Sequence, residues 1–511
     1  MVQEVVVESP AGAFRGEDAG AVHVFRGIRY GQPPTGERRW RDPVAAAPAE
    51  GVVDALVFGT VAPQQENPVV GLGEGAVQDE DCLFLNVWRP AAAEGGPRAV
   101  MVWLHGGAYT YGSGTQPMYD ATRLVAQGDV LVVTLNYRIA ALGFLDLTGF
   151  ATPDVPFDGN LALKDVLLAL RWVQANIAAF GGDPARVTVF GESAGGGLVT
   201  TLLATPSAAE LFSRAIAESA PVSTAYGPAR ARTVAARFLE LAGVDAGDPA
   251  ALRALGVDAI VAAGTQLFAE IPAEDPGTIA YAPVVDGDLV PEAPVTVLHE
   301  GRALPVPLLI GTNKDEASFF KFMKSPLMPI TDEQIDKMFR DLAEEEPELL
   351  IPDAAQVRAA YEGVRHRSRG LGIARDIGFR MPTVWAAEGH AAVAPVWLYR
   401  FDFTTPFFRL LGLGATHGAE LPYVWGNLDA RPKDPTFRLG GRRAGERLSE
   451  RMLSRWTAFA RGEAPDAADA VAWPQYGPDA RASLVIDHDD RVADVDEALR
   501  SGWGDVVLAF A

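Results

Sequence analysis

The chain has 511 residues, 48% of them hydrophobic, which suffices for one large α/β domain with insertions or for several smaller domains. Its 66 acidic and 44 basic side chains leave a formal net charge of −22, a field that repels phosphate backbones and anionic membranes and argues against nucleic acid as a partner. A single cysteine, Cys82, excludes an intrachain disulfide and a Cys cluster for structural zinc, and fits a reducing compartment.

The N-terminal stretch Met1–Glu8 lacks a basic segment and carries Glu4 and Glu8 where a signal peptide needs an unbroken apolar run. Nowhere do about 18 consecutive apolar residues occur. The expectation is a cytoplasmic protein without membrane insertion. Val5–Val7, Ala13–Arg15 and Val22–Phe25 read as short strands of an antiparallel edge, separated by Pro/Gly and Asp/Gly turns. Arg26–Trp40 and Ala62–Gln78 read as long loops, which a compact domain keeps only where something packs or binds. Asp79–Trp88 alternates Cys82, Phe84, Asn86 and Trp88 against Leu83, Leu85 and Val87, as a strand buried on both faces does.

Ala99–Leu104 is a further strand that runs into His105-Gly-Gly-Ala-Tyr109, where two glycines free backbone N–H groups to point at a ligand. Val130–Tyr137 is another apolar strand. Asn160–Phe180 places Leu163, Val166, Leu167, Leu170, Val173 and Ile177 at the spacing of one helix face, and Gly181-Gly182 stops it. Next comes the stretch around which the chain is organised. The strand Val187–Phe190 ends at Gly191, and small residues open an apolar helix reaching Leu203, so Ser193 lies in a sharp strand-to-helix turn. Gly191 and Gly195 complete the nucleophile-elbow pattern Gly-x-Ser-x-Gly, in which only glycine lets the strand and helix approach closely. The hydroxyl then projects beside a helix N-terminus whose free N–H groups can steady an oxyanion.

Ala215–Glu218 adds a strand with Ser219 at its carboxyl end. An Ala-rich helical section spans about 228–281, and a second covers about 331–393, with a capping-box start at Thr331 and Gln334 and an acidic, solvated run at Glu344–Glu346. Val306–Ile310 and Pro395–Phe401 are strands, and a last helix uses Leu448, Met452, Trp456 and Phe459 on one face. The alternation predicts one α/β domain, residues 1–511, with a mostly parallel sheet covered on both faces and helical insertions at the two sections named.

A serine hydroxyl needs a base within hydrogen-bond reach, and the base needs a carboxylate to fix its tautomer. Of the downstream histidines, His366 lies among Arg365, Arg367 and Arg369, which disfavour its imidazolium. His390 falls in a helix, His299 precedes the best acid strand, and His488 sits in a polar Asp turn. His417, flanked by Gly414 and Gly418 in a loop after a strand, is the remaining candidate base. Asp315 and Glu316 follow the strand at 306–310, with Asp286 and Asp288 as competitors, and spacing does not separate Asp315 from Glu316.

These motifs resemble those of the type-B carboxylesterase family, over nearly the whole chain. Phe180-Gly-Gly-Asp-Pro-Ala-Arg-Val-Thr-Val-Phe-Gly-Glu-Ser-Ala-Gly195 is similar to the family's serine signature, and Glu80-Asp-Cys-Leu-Phe-Leu-Asn-Val87 to its second signature. Phe25–Tyr30, Pro33-Pro34, His105–Ala108 and Asn136–Arg138 are similar to further family blocks.

The resemblance implies an α/β-hydrolase fold and hydrolysis of small-molecule carboxylic esters through an acyl-serine, with no metal or cofactor. It implies Ser193 as nucleophile, Glu316 as acid and His417 as base, with the N–H groups of Gly107, Ala108 and Ala194 as oxyanion hole. Glu192 and Ser219 are implied as supporting residues, Arg39 and Glu80 as an ion pair, and Cys82 as a buried free thiol. Two positions depart from the family habit: Ala317, where glycine is usual, and Ala419 after His-Gly. Tyr109, Phe319, Phe320, Phe407, Phe408 and Leu411 are candidates to line a substrate pocket. A carbamate or amide hydrolase with the same triad, or a non-catalytic binding protein on the same fold, are the rival readings, and the oligomeric state is not legible in the sequence.

Overall fold

The computed structural model describes residues 3–67, 70–92, 96–345, 354–361, 366–430, 434–504 and 506–509. Among them thirteen strands form one sheet. In chain order these are β1 (Gln3–Ser9), β2 (Gly12–Asp18), β3 (Val22–Arg29), β4 (Val52–Asp54), β5 (Phe84–Pro90), β6 (Arg98–Leu104) and β7 (Leu131–Leu135). Then follow β8 (Gly182–Glu192), β9 (Arg214–Glu218), β10 (Leu308–Asn313), β11 (Val396–Phe401), β12 (Ser483–Ile486) and β13 (Arg491–Ala493). The spatial order is β1-β2-β3-β5-β7-β6-β8-β9-β10-β11-β12-β13, with β4 beside β2. From β7 to β12 every neighbouring pair is parallel. The N-terminal meander and β13 pair antiparallel at the edges, as the short N-terminal strands predict.

Parallel strands need crossover connections, and the helices in those connections cover both faces of the sheet. The central strands are therefore apolar on both sides. Val100, Val102 and Leu104 of β6 join one hydrophobic core with Val187 and Val189 of β8, while Met101 and Trp103 join a second core with Phe190. All of these side chains are fully buried.

Several boundaries differ from the sequence expectation for identifiable reasons. β3 continues to Arg29 instead of ending at Phe25, because a bulge between Phe25 and Ile28 is closed by Gly27 N–H donating to Asn86 Oδ1 at 2.9 Å. β5 starts at Phe84 and not at Asp79, because the acidic residues ahead of it bond their own backbone, Asp81 N–H to Asp79 Oδ1 at 2.8 Å. Gly181, at φ +87°, ends the preceding 3-10 turn, but Gly182 already belongs to β8. The helix Arg442–Arg461 is not the last, since β12, β13 and the helix Glu497–Trp503 follow it.

Both predicted helical sections are present. The first contains Pro228–Ala242, Pro249–Arg253 and Val257–Glu274; the second runs from Asp332–Glu345 to Met381–His390. The Thr331/Gln334 box is reciprocal: Gln334 N–H donates to Thr331 Oγ1 at 3.2 Å, and Thr331 N–H to Gln334 Oε1 at 3.1 Å. Of the acidic run, Glu344 is exposed and Glu346 lies outside the described residues, as do Arg365 and the side chains of His366 and Arg367.

Candidate active site

The end of β8 and the start of the helix Ala194–Leu203 meet at Ser193, whose φ of +56° is strained for a residue with a Cβ. The approach of the two elements leaves no room beside it: a Cβ on Gly195 would lie 1.9 Å from the Leu104 carbonyl oxygen, and one on Gly191 would lie 2.6 Å from the Gly195 carbonyl carbon. Ser193 N–H donates to the Glu218 carbonyl of β9 at 2.9 Å, which pins the turn to the sheet.

Two loops from other parts of the chain close on this hydroxyl. Glu316 follows β10, and His417 lies between β11 and the helix Leu421–Trp425. His417 Nδ1–H donates to Glu316 Oε2 at 2.6 Å, leaving Nε2 to accept the Ser193 Oγ–H at 2.8 Å. Glu316 is fully buried and accepts two further bonds, from Ser219 Oγ–H at 2.6 Å and from Asn313 N–H at 2.7 Å. Asp315 points elsewhere and accepts the Ala415 N–H at 3.0 Å, so geometry separates the two acids that spacing left open. Asp286 binds Asn160 instead, at 2.8 Å.

The three competing histidines whose side chains are described serve packing. His390 is buried with Nε2 against the Val306 carbonyl at 2.9 Å, His299 Nδ1 meets the Trp385 carbonyl at 3.3 Å, and His488 rests on Phe403. The turn that carries His488 is only partly solvated, because its Asp490 is buried in ion pairs with Arg451 and Arg455.

Buried carboxylates dominate the electrostatics. Glu192 Oε1 lies 3.3 Å from His417 Nε2. Burial opposes the imidazolium, but the charges of Glu192 and Glu316 outweigh it and hold His417 above the ordinary histidine range. Burial likewise raises Glu192, against the pull of His417. Two further buried acids escaped the sequence reading. Glu218, beside Ser219, accepts the Trp456 Nε1–H at 2.9 Å and is pushed up to about 8 by burial. Glu420, three positions beyond His417 in the turn before the helix Leu421–Trp425, is bonded by Asn313 Nδ2 and lies well above the carboxylate range.

Above Ser193 opens a cavity of about 540 Å³. Its wall includes Gly107, Ala108, Glu192, Ser193, Ala194 and His417. Gly107 has φ +123° and Ala108 φ +52°, an irregular backbone closed by Thr110 and Tyr111 N–H donating to the Gly107 carbonyl at 3.0 and 2.9 Å. Of the expected pocket residues, Tyr109, Phe319, Phe320 and Phe408 line this cavity. Phe407 and Leu411 do not. The helix Pro406–Leu410 turns about 100° per residue, which carries Phe407 away from the wall taken by Phe408, and Leu411 is 43% exposed. Tyr111 joins the wall from the Tyr109 loop, and Phe268, Met328 and Phe379 join it from segments that sequence spacing does not connect to that loop.

The Arg39–Glu80 ion pair is present at 2.6 Å, and Cys82 is a buried free thiol. No helix among the described residues is long and apolar enough to cross a membrane.

Residues 3–501 match the model of a family described as the carboxylesterase family. The chain is 37% identical over 487 residues to the para-nitrobenzyl esterase of Bacillus subtilis (strain 168), covering 94% of each. It is 32% identical over 502 residues to the phenmedipham hydrolase of Pseudarthrobacter oxydans, covering 95% of this chain and 96% of that one. Among solved structures it superposes on a carboxylesterase of Geobacillus stearothermophilus with a TM-score of 0.83 at 35% identity, over 98% of this chain and 100% of the other.

Proposed function

The chain belongs to the carboxylesterase family, has the α/β-hydrolase fold and is a serine carboxylesterase, and from that premise we propose that Ser193 is its acyl nucleophile, His417 its base and Glu316 its acid. The observation that carries the assignment is the unbroken chain of hydrogen bonds from Ser193 Oγ through both imidazole nitrogens to Glu316, at 2.8 and 2.6 Å.

Glu316 holds the tautomer in which Nδ1 bears the proton, so Nε2 takes the serine proton as Oγ attacks the ester carbonyl. The imidazolium that forms is stabilised by the adjacent carboxylate, and it gives its proton to the leaving alcohol. Water then repeats the sequence on the acyl-serine. The N–H groups of Gly107, Ala108 and Ala194 receive the oxyanion; a single such donor is worth about 10²–10³ in rate. Ser219 and the Asn313 N–H fix Glu316, while Glu192 sets the proton affinity of His417.

The cavity wall of Phe319, Phe320, Phe379, Phe408 and Met328 suits an uncharged apolar acyl or alcohol group. The chain works as a single domain with helical insertions at about 228–281 and 331–393, in the cytoplasm. Turnover of matched p-nitrophenyl ester, carbamate and anilide substrates tests the reaction class: the ester is expected to be fastest by orders of magnitude, and a faster carbamate or anilide would overturn the reading. A p-nitrophenyl series from acetate to decanoate then reports the preferred chain length.

A further inference from the structure

Beside the imidazole lies one turn of π-helix, Asp376–Arg380, closed by Met381 N–H donating to the Asp376 carbonyl five residues back. Such a turn carries one residue more than an α-helical turn and re-aims the side chains within it. Both its ends are tied down by charge pairs, the second of them fully buried. Asp376 is fully buried and accepts from Arg375 Nε–H and Nη2–H, at 2.6 and 2.7 Å, and from the Tyr361 hydroxyl. Arg380 is 2% exposed and donates from Nε and Nη2 to Asp496, at 2.8 and 2.7 Å. Its Nη1 bonds Thr312 Oγ1 at 3.0 Å, on the strand that leads to Glu316.

Between these anchors the turn presents Phe379. Its ring centroid lies 4.8 Å from that of His417, with the planes 36° apart. Phe320, from the helix Ala317–Phe322 that starts directly after Glu316, packs on the same imidazole at 5.2 Å and 43°. The two phenyl rings also stack on each other, at 6.2 Å and 20°. The hydrogen bonds of His417 to Glu316 and Ser193 leave from opposite ring nitrogens and lie in the ring plane, so they resist in-plane displacement but only weakly resist tilting about the line joining them. Contacts on the ring supply that missing restraint. A phenyl face is also the negative end of its quadrupole and favours the imidazole in its charged form, the form it takes during acyl transfer.

We propose that Phe379, aimed by the π turn, is a positioning residue that together with Phe320 backs one side of the His417 imidazole and holds it in line with Ser193 and Glu316. The proposal rests on the reading of His417 as the base. Because both phenyl rings also line the substrate cavity, a plain wall role must be told apart from it.

The test uses F379A, F379L and F379Y with p-nitrophenyl acetate, whose small acyl group needs little wall, and with p-nitrophenyl octanoate. The downfield proton resonance of the His417 Nδ1–H is followed alongside. For F379A the expected result is a kcat on acetate lower by about 10- to 100-fold with KM within about twofold, since misplacing a catalytic group by about 1 Å costs up to about 10². The downfield proton is lost or broadened, and F379Y, which keeps the ring, stays near the parent. An F379A enzyme that turns over acetate like the parent, keeps the downfield proton and slows only on octanoate would overturn the proposal. Should F379A fail to fold, F379L against F379Y reads the same contrast: a kcat on acetate several-fold lower in F379L supports the positioning role, and equal values refute it. H417A separates this from the premise, because an H417A enzyme that still hydrolyses acetate removes the base assignment itself, however Phe379 behaves.

Discussion

The two sides of the Ser193–His417 hydrogen bond are built in different ways. On the serine side the placement is made by backbone and close packing: a strand end, a residue at φ +56°, two glycines with no space for a methyl group, and a main-chain bond to Glu218. On the histidine side the placement is made by side chains. Glu316 is held by Ser219 and Asn313, and the imidazole is covered by Phe320 and by Phe379 from a π turn anchored to Asp496 near the C-terminus. The nucleophile is thus placed by main-chain geometry and close packing, whereas a base that must accept and return a proton is placed by side chains gathered from several elements.

Five substitutions break or sharpen that contrast, in falling order of effect. S193A and H417A each lower kcat by up to about 10⁶ while leaving thermal unfolding unchanged, read by ester turnover and calorimetry. They are alike in rate because the pair acts as a unit, despite being held so differently. G195A probes the steric side, where a methyl group meets the Leu104 carbonyl. Loss of about 3 kcal/mol or more in urea unfolding is expected, and an unchanged midpoint would show that the elbow tolerates what the geometry forbids.

S219A probes the assembled side. It removes one donor from the buried Glu316 carboxylate, which lowers kcat about tenfold with little change in KM and costs about 1.5–3 kcal/mol in urea unfolding, as loss of a hydrogen bond to a buried charged group predicts. The smallest effect is E192Q. A carboxylate beside Nε2 stabilises the imidazolium and so raises the proton affinity of His417; removing the charge lowers it, and the neutral, active base persists to lower pH. The acidic limb of the kcat/KM profile therefore moves to lower pH, and a shift upward would contradict the sign.

The same contrast explains what could be read from the sequence. Ser193, Gly191 and Gly195 are legible because strain permits few residue types, and β6 to β9 because strands covered on both faces become continuous apolar runs. The acid was not separable by spacing: Asp315 and Glu316 are adjacent, and only the direction each side chain takes after β10, or the family resemblance, distinguishes them. Glu218 and Glu420 were overlooked because a buried carboxylate has the same letter as a solvated one. The cavity wall was half legible, with Phe408 found and Phe379 missed, since membership depends on which way a ring leaves its helix. β12 escaped because four residues between charged turns carry too little periodicity.

The central claim is that Ser193 attacks with His417 as its base, and covalent labelling tests it most directly. A fluorophosphonate incubated with the folded enzyme and located by peptide mass spectrometry should add one group, on Ser193, in step with loss of esterase activity. The adduct should be absent in S193A and slowed by orders of magnitude in H417A. Labelling at another residue, or esterase activity that survives in S193A, would contradict the account.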